Sequence, residues 1–186
     1  MGIGVKNLVC IPARQEIDMN CGYRKQGYSL YTRKAEDMIK YKEEATMYTL
    51  KTSASFDSAH FLKGYEGKCS NIHGHRWTVE VEVYSEDLQK EGQCRGMIMD
   101  FSTLKRDLSA MVDYLDHALI IEEGSLKEKT LEALKEENFK IIDADFRPTA
   151  ENFAKCFYDV MAKEGYKLTK VTVYETPNNC ATYSEQ

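Results

Sequence analysis

The sequence contains no uninterrupted apolar run near the roughly 18 residues that a membrane-spanning helix requires. Its first residues, Met1 to Arg14, also lack the basic flank and apolar stretch that mark a secretory signal peptide. These two absences predict a protein that neither crosses a membrane nor is exported. We therefore expect a cytoplasmic location.

The chain also lacks an excess of positive charge. Its 25 lysines and arginines are outnumbered by 30 aspartates and glutamates, which gives a formal net charge of -5. Because general binding to nucleic acid or to an anionic membrane depends on a basic surface, we expect neither as a partner. A local basic pocket could still hold an anionic metabolite.

A disulfide framework is not expected either. The six cysteines occur in a chain of 186 residues, of which 42% are hydrophobic, so one domain can bury a sufficient core without cross-links. In the absence of an export signal, the cysteines are interpreted as reduced thiols.

The elements that the pattern predicts are few and regular. Alternating apolar and polar residues predict one strand from Tyr48 to His60 and a second from His73 to Val83. Amphipathic periodicity predicts a helix that Asp100 caps and another that opens at Pro148 and Thr149. Two short strands follow, around residues 171–175 and 180–184. The charged stretch 122–138 is predicted to be a short solvated helix.

Three of the four histidines in the chain lie on the inward faces of the first two strands. His73 and His75 are two residues apart, so both rings point to one side, and His60 on the neighbouring strand can join them. Three histidines with one open position are typical of catalytic zinc. Hydrogen-bonded core histidines are the alternative, which we consider weaker for three histidines than for one.

Four further features have both a functional and a structural interpretation. Cys69 could act as a base or nucleophile, or it could close a structural zinc site through the spacing C-x3-H. Asp116 and His117 have the composition of an acid/base pair but could be a helix cap. Glu175 could accept paired hydrogen bonds from a pterin or guanine edge, or could simply reach solvent. Glu151 could assist it or complement the helix dipole.

The residues described above resemble those of the family of 6-pyruvoyltetrahydropterin and 6-carboxytetrahydropterin synthases. The likeness runs from about Met47 to Tyr183 and rests on six motifs in the family's order. These motifs are SAHFL (58–62), CSNIHGH (69–75), GMIMDF (96–101), DH (116–117), PTAEN (148–152) and VYETPNN (173–179).

The resemblance implies an α+β architecture, the tunnelling fold or T-fold: a four-stranded antiparallel sheet with two helices on one face. Subunits of this fold join into an oligomeric barrel, usually a trimer or a dimer of trimers. The resemblance also implies a role for each matched residue. His60, His73 and His75 would hold Zn²⁺, Cys69 with Asp116 and His117 would be catalytic, and Glu175 would anchor the pterin with Thr149 and Glu151.

Within the family, the gap of three residues between Cys69 and His73 resembles the carboxytetrahydropterin branch of queuosine biosynthesis. That resemblance implies a lyase that converts 7,8-dihydroneopterin triphosphate to 6-carboxy-5,6,7,8-tetrahydropterin, acetaldehyde and triphosphate. Two alternatives remain: a 6-pyruvoyltetrahydropterin synthase, and a non-catalytic binding module that zinc stabilises.

The first prediction concerns residues 1–46, which we interpret as an N-terminal extension of a T-fold domain at 47–186. Deleting this extension should leave a folded and active protein, because every predicted element and candidate site residue begins at or after Met47. Circular dichroism and turnover of the truncated chain would check this. An insoluble or inactive truncation would show that the extension is needed by the core or the oligomer.

Overall fold

The computed structural model describes residues 47–185, so the predicted N-terminal extension lies outside the described residues. Within that range the chain forms six strands and three α-helices. In order they are β1 (Tyr48–His60), β2 (His73–Ser85), α1 (Phe101–Leu115), β3 (Ala118–Glu122), α2 (Glu128–Glu136), β4 (Ile141–Ala144), α3 (Ala150–Lys163), β5 (Leu168–Thr176) and β6 (Asn179–Tyr183).

All six strands belong to one mixed sheet with the order β4-β3-β1-β2-β5-β6. Strands β1, β2, β5 and β6 pair antiparallel with one another in that order, which confirms the predicted four-stranded core and the α+β class. The sheet is larger than predicted, because β3 and β4 add to it in parallel beside β1. Both come from the segment after His117, where only a short helix was expected. That helix is α2, and it has no buried residues.

The two long helices begin at the predicted caps. The Asp100 carboxylate accepts a hydrogen bond of 2.8 Å from the Ser102 amide at the start of α1. The Thr149 hydroxyl accepts one of 3.4 Å from the Asn152 amide at the start of α3. After α3, Gly165 takes a left-handed φ of 91°, which a residue without Cβ adopts without strain.

The core lies between one face of the sheet and helices α1 and α3. Alternate residues of β2, from Trp77 to Val83, are at most 1% exposed, as period-2 burial requires. Leu104 and Leu108 of α1 are fully buried against this face, with Phe153 and Phe157 of α3 beside them. The core therefore ends at Trp77, directly beside the histidines of β1 and β2.

Two apolar residues of the long helices, Phe101 and Val160, are exposed, although amphipathic periodicity predicts both on the buried faces; that prediction is wrong for these two. Phe101 is 60% exposed, because it is the first residue of α1 and its side chain points back over the turn before the helix. Val160 is 37% exposed and lines a groove between α1 and α3, together with Tyr114 and Phe157.

No described helix is long and apolar enough to cross a membrane. Cys69, Cys94, Cys156 and Cys180 are all free thiols, in agreement with the expected reduced state, while Cys10 and Cys21 lie outside the described residues.

The second prediction compares Leu108 with Phe101. Leu108→Ala should lower the free energy of unfolding by about 2–5 kcal/mol, because it leaves a cavity in a fully buried site. Phe101→Ala should change it by no more than about 0.5 kcal/mol, since that ring is mostly in solvent. Denaturant titration of both variants would check this. If both variants lost the same free energy of unfolding, the Phe101 ring would have to be buried in a contact of the native protein.

Candidate functional site

The candidate site begins where the pairing of β1 and β2 ends. The two strands pair without interruption from Tyr48 opposite Ser85 to His60 opposite His73, and His75 lies opposite Ser58. The ring centroid of His60 is 4.5 Å from that of His73 and 5.3 Å from that of His75. One possible ligand nitrogen from each ring lies within 4.8 Å of the others. The predicted histidine cluster is therefore formed, and it could bind a metal ion.

Backbone carbonyls orient two of these rings. Nδ1 of His60 donates to the carbonyl oxygen of Pro148 over 2.7 Å, and Nδ1 of His73 donates to that of Asn71 over 2.8 Å. Each bond fixes the tautomer in which Nε2 has a free lone pair, an arrangement that metal-binding histidines commonly adopt.

The nitrogen Nε2 of His60 supplies a test of whether a metal fits. His60 is only 1% exposed, and its Nε2 is buried without a hydrogen-bond partner in the described structure. A buried polar atom without a partner is costly, and native structures rarely keep one without reason. A metal ion bound to this nitrogen would remove the cost, so the site has the character of a metal site.

The surroundings of His60 and His75 favour the neutral form of these two imidazoles. Burial is the main cause that lowers the pKa of His60 and of His75 below the ordinary value, and the neighbouring His73 lowers both further. The carboxylate of Glu175 acts in the opposite direction on both rings. Because a metal binds the unprotonated ring, the lowered pKa values of His60 and His75 favour metal binding.

Trp77 forms the wall of the cluster on the side of the core. Its ring meets His60 edge to face at 5.0 Å and His75 at 5.6 Å between centroids. On its other side it packs against Phe153 of α3 at 5.0 Å. The sequence indicated a buried position for Trp77 but not this contact, since periodicity gives the face of a strand and not its neighbours.

Glu175 continues the inward face of β5, since it follows the buried Val171 and Val173 at the spacing of two that a strand requires. The pairing of β5 with β6 shifts register between Tyr174 and Thr176, so Glu175 between them has no partner on β6. Its Oε1 lies 3.6 Å from Nε2 of His60 and 3.8 Å from Nε2 of His75. Glu175 also lines a cavity of about 480 Å³, so it faces both the histidines and open space.

Cys69 lies in the loop that joins β1 to β2. It sits in a short 3₁₀ turn, and its carbonyl oxygen accepts a 2.8 Å hydrogen bond from the Leu62 amide. The Asn71 that ends this turn also orients His73, so the thiol and a histidine of the cluster share one short segment. Among the described residues, the thiol is not part of the group of nearby metal-ligand atoms. The closed site with Cys69 as fourth ligand is therefore not formed here.

Asp116 and His117 form a hydrogen-bonded pair at the end of α1. Nδ1 of His117 donates to the carboxylate of Asp116 over 2.6 Å. The same carboxylate accepts a 2.8 Å bond from the Asp57 amide, and this bond is the main cause that lowers the pKa of Asp116, with His117 second. The His117 amide donates in turn to the Asp57 carbonyl over 2.7 Å.

This pair is held by the backbone of β1, whereas the histidine cluster is built from side chains of β1 and β2. The amide and the carbonyl of Asp57 bind the pair, and these backbone groups lie in the plane of the sheet. His117 lines a cavity of about 730 Å³ together with His75 of the cluster and with Gly74 and Arg76. No hydrogen bond or ion pair of the described residues joins the pair to the cluster. The structure therefore brings the two features to one cavity without a direct bond between them.

Thr149 and Glu151 lie where α3 begins. The hydroxyl of Thr149 caps the helix, and Glu151 is exposed in the first turn. The neighbouring Pro148 binds His60 through its carbonyl oxygen, a role that no sequence pattern could indicate because it belongs to the backbone. A contact of Thr149 or Glu151 with a pterin stays a prediction.

The sheet with its two packed helices and the histidine cluster define a T-fold protein with a candidate metal site. The chain belongs to the 6-pyruvoyl tetrahydropterin synthase family, whose family model matches residues 49–186. It is 34% identical over 142 residues to a 6-carboxy-5,6,7,8-tetrahydropterin synthase of Haemophilus influenzae, which covers 75% of this chain and 100% of the relative. It is also 34% identical over 129 residues to the protein of the same name in Aquifex aeolicus, covering 64% of this chain and 77% of that one.

Solved structures agree on the fold. An uncharacterized protein from Wolinella succinogenes matches with a TM-score of 0.61 at 20% identity, over 76% of this chain and 99% of that one. The 6-pyruvoyl tetrahydropterin synthase of Caenorhabditis elegans matches with a TM-score of 0.51 at 26% identity, over 76% and 97%.

Proposed function

We propose that the protein is a zinc-dependent 6-carboxytetrahydropterin synthase. It would convert 7,8-dihydroneopterin triphosphate to 6-carboxy-5,6,7,8-tetrahydropterin, acetaldehyde and triphosphate, a step toward queuosine and related 7-deazapurines. The observation that carries the proposal is the three-histidine cluster with the buried, unpartnered Nε2 of His60. The names of the relatives support the choice of reaction. A cytoplasmic homo-oligomer, a trimer or a dimer of trimers, is part of the same proposal.

In this proposal His60, His73 and His75 hold the zinc and leave one position open. A bound zinc would supply the Lewis acidity that binds the side-chain hydroxyls of the substrate and acidifies the adjacent C–H. The protein contributes orientation: Pro148 and Asn71 fix the tautomers of His60 and His73, and Trp77 packs against His60 and His75.

Glu175 is proposed to bind the pterin. Its two carboxylate oxygens match the paired N–H donors on one edge of a pterin, and charge-assisted pairs of this kind are strong. Its place between the histidines and an open cavity of about 480 Å³ would hold the ring next to the metal. Thr149 and Glu151, at the start of α3, would assist it.

Cys69, Asp116 and His117 are proposed to move protons. The bond from Nδ1 of His117 to Asp116 fixes the tautomer whose Nε2 can accept a proton. The thiol of Cys69, on the loop that leads into His73, would be a second group that transfers protons. Since His117 and His75 line the same cavity of about 730 Å³, a substrate held by the cluster would also lie within reach of the pair.

Two other functions compete with this one. A 6-pyruvoyltetrahydropterin synthase would release triphosphate from the same substrate but keep the side-chain carbons. A binding module that zinc merely stabilises would need Cys69 as a fourth ligand, and the thiol lies outside the group of metal-ligand atoms described above. The short gap between Cys69 and His73 favours the carboxy branch.

The deciding experiment is product analysis. The zinc-loaded protein is incubated with 7,8-dihydroneopterin triphosphate, and the products are identified by mass spectrometry. Acetaldehyde with a carboxypterin supports the proposal, and a pyruvoyl product supports the other synthase. Zinc-loaded Cys69→Ala is the matched control, since it should keep the metal and lose turnover. Loss of zinc with the thiol, and no turnover by the unchanged protein, would favour the binding module.

The third prediction concerns the metal ligands. The protein should bind about one zinc per chain, and His73→Ala should weaken zinc binding by more than the roughly 100-fold that loss of an outer-shell partner costs. Competition with a chelator of known affinity measures this. His117→Ala is the control, because it removes the one histidine outside the cluster and should leave zinc affinity unchanged. Equal affinity of both variants would remove His73 from the ligand set.

The fourth prediction concerns Glu175. Glu175→Gln keeps the size of the side chain but replaces one acceptor oxygen with a donor, so one charge-assisted bond becomes two donors facing each other. The expected loss is about 2–4 kcal/mol, or a pterin affinity weakened roughly 30-fold or more. Titration with a pterin analogue measures this, with zinc content and folding as controls. Unchanged affinity in a folded, zinc-loaded variant would place the pterin elsewhere.

A further inference from the structure

We infer that Lys140 is a positioning residue for the Asp116 and His117 pair. The inference rests on the proposed function for what the pair does, but its geometry is independent of it. Lys140 lies just before β4, in the segment between β3 and α3 that enlarges the sheet beyond the predicted four strands. No motif or periodicity in the sequence singles it out.

Lys140 binds the carbonyl oxygens at the end of α1. Its Nζ donates to the carbonyl oxygen of Asp116 over 2.8 Å and lies 3.5 Å from that of Asp113. The last carbonyls of a helix have no partner within the helix, and a cation there also complements the helix dipole. The backbone of Lys140 is fixed as well, because its carbonyl oxygen accepts a 2.9 Å bond from the Leu119 amide of β3.

The chain needs such a contact because His117 has an unusual backbone. Its φ of 54° lies in the left-handed region, which side chains with Cβ rarely adopt. Three bonds restrain this turn from the side of β1 and the ring: the amide of His117 to Asp57, the amide of Asp57 to Asp116, and Nδ1 of His117 to Asp116. The carbonyl oxygen of Asp116 is a further polar group of this turn, and Lys140 binds it.

The direction in which His117 presents Nε2 depends on this turn. If the peptide between Asp116 and His117 rotates, the ring turns with it and the bond to the carboxylate is weakened. The positive charge of Lys140 also contributes, after Asp57 and His117, to the lowered pKa of Asp116. Leu134 and Phe139 from the same segment line the cavity that His117 faces. The segment between β3 and α3 therefore both lines this cavity and restrains the acid/base pair that faces it.

The test compares three lysine variants in the full-length, zinc-loaded protein. Lys140→Met removes the donor and keeps most of the side chain, while Lys140→Arg keeps a donor. Lys135→Met is the matched control, because Lys135 lies on the same segment and its ion pair is with Asp143, at 3.8 Å. The measurements are kcat and KM with dihydroneopterin triphosphate, zinc content, and the ¹⁵N chemical shifts of the His117 ring.

Lys140→Met should lower kcat about tenfold with KM nearly unchanged, since a small displacement of a catalytic group has effects of this size or larger. The ¹⁵N spectrum should show loss of the ordered Nδ1–H tautomer of His117, and zinc content should stay the same. Lys140→Arg should keep most of the kcat and most of the His117 Nδ1–H signal. Lys135→Met should behave like the unchanged protein.

A raised KM with unchanged kcat would overturn the inference, because Lys140 would then be a contact for the substrate's phosphates. An unchanged His117 spectrum in Lys140→Met would overturn it as well. If the unchanged protein turned over no pterin substrate, the proposed function would fail, while the His117 spectrum would still decide whether Lys140 positions the pair.

Discussion

The register of β1 against β2 is the constraint on which the site depends. Thirteen residues of each strand pair without a break, and the last pair is His60 with His73. Because side chains alternate between the two faces of a strand, a slip of one residue would move a whole set of side chains to the other face. The core prevents this, since Phe56 and Trp77 form one of the pairs and are both buried. The aromatic core thus sets the positions of the histidines.

The same arrangement raises the free energy of the site when no ligand is bound to it. His60 is buried beside Trp77 with one ring nitrogen bound to Pro148 and the other without a partner. Glu175 lies 3.6 Å from that second nitrogen, beyond hydrogen-bond length. Protein interiors keep such imperfectly satisfied groups mainly where function requires them. The balance of burial and nearby charge therefore supports a metal more strongly than the presence of three histidines alone.

The sequence predicted the parts of this structure that follow from local rules. Strand periodicity placed His60, His73 and His75 on one face. The two long helices begin at the predicted caps, Asp100 and Thr149. The parallel strands β3 and β4 were missed, because each is only four or five residues long and pairing in parallel depends on distant contacts. Pro148 and Lys140 were missed for related reasons: one acts through its backbone, and the other is one lysine among many until the fold brings it to α1.

Strand β1 connects the two halves of the candidate chemistry. His60 at its end belongs to the histidine cluster, and the backbone of Asp57, three residues earlier, holds both Asp116 and His117. Since a paired strand in the middle of a sheet is rigid, the separation between these two groups is fixed within one chain. His75 of the cluster and His117 of the pair line one cavity of about 730 Å³, so a single substrate bound there would meet both groups within one chain.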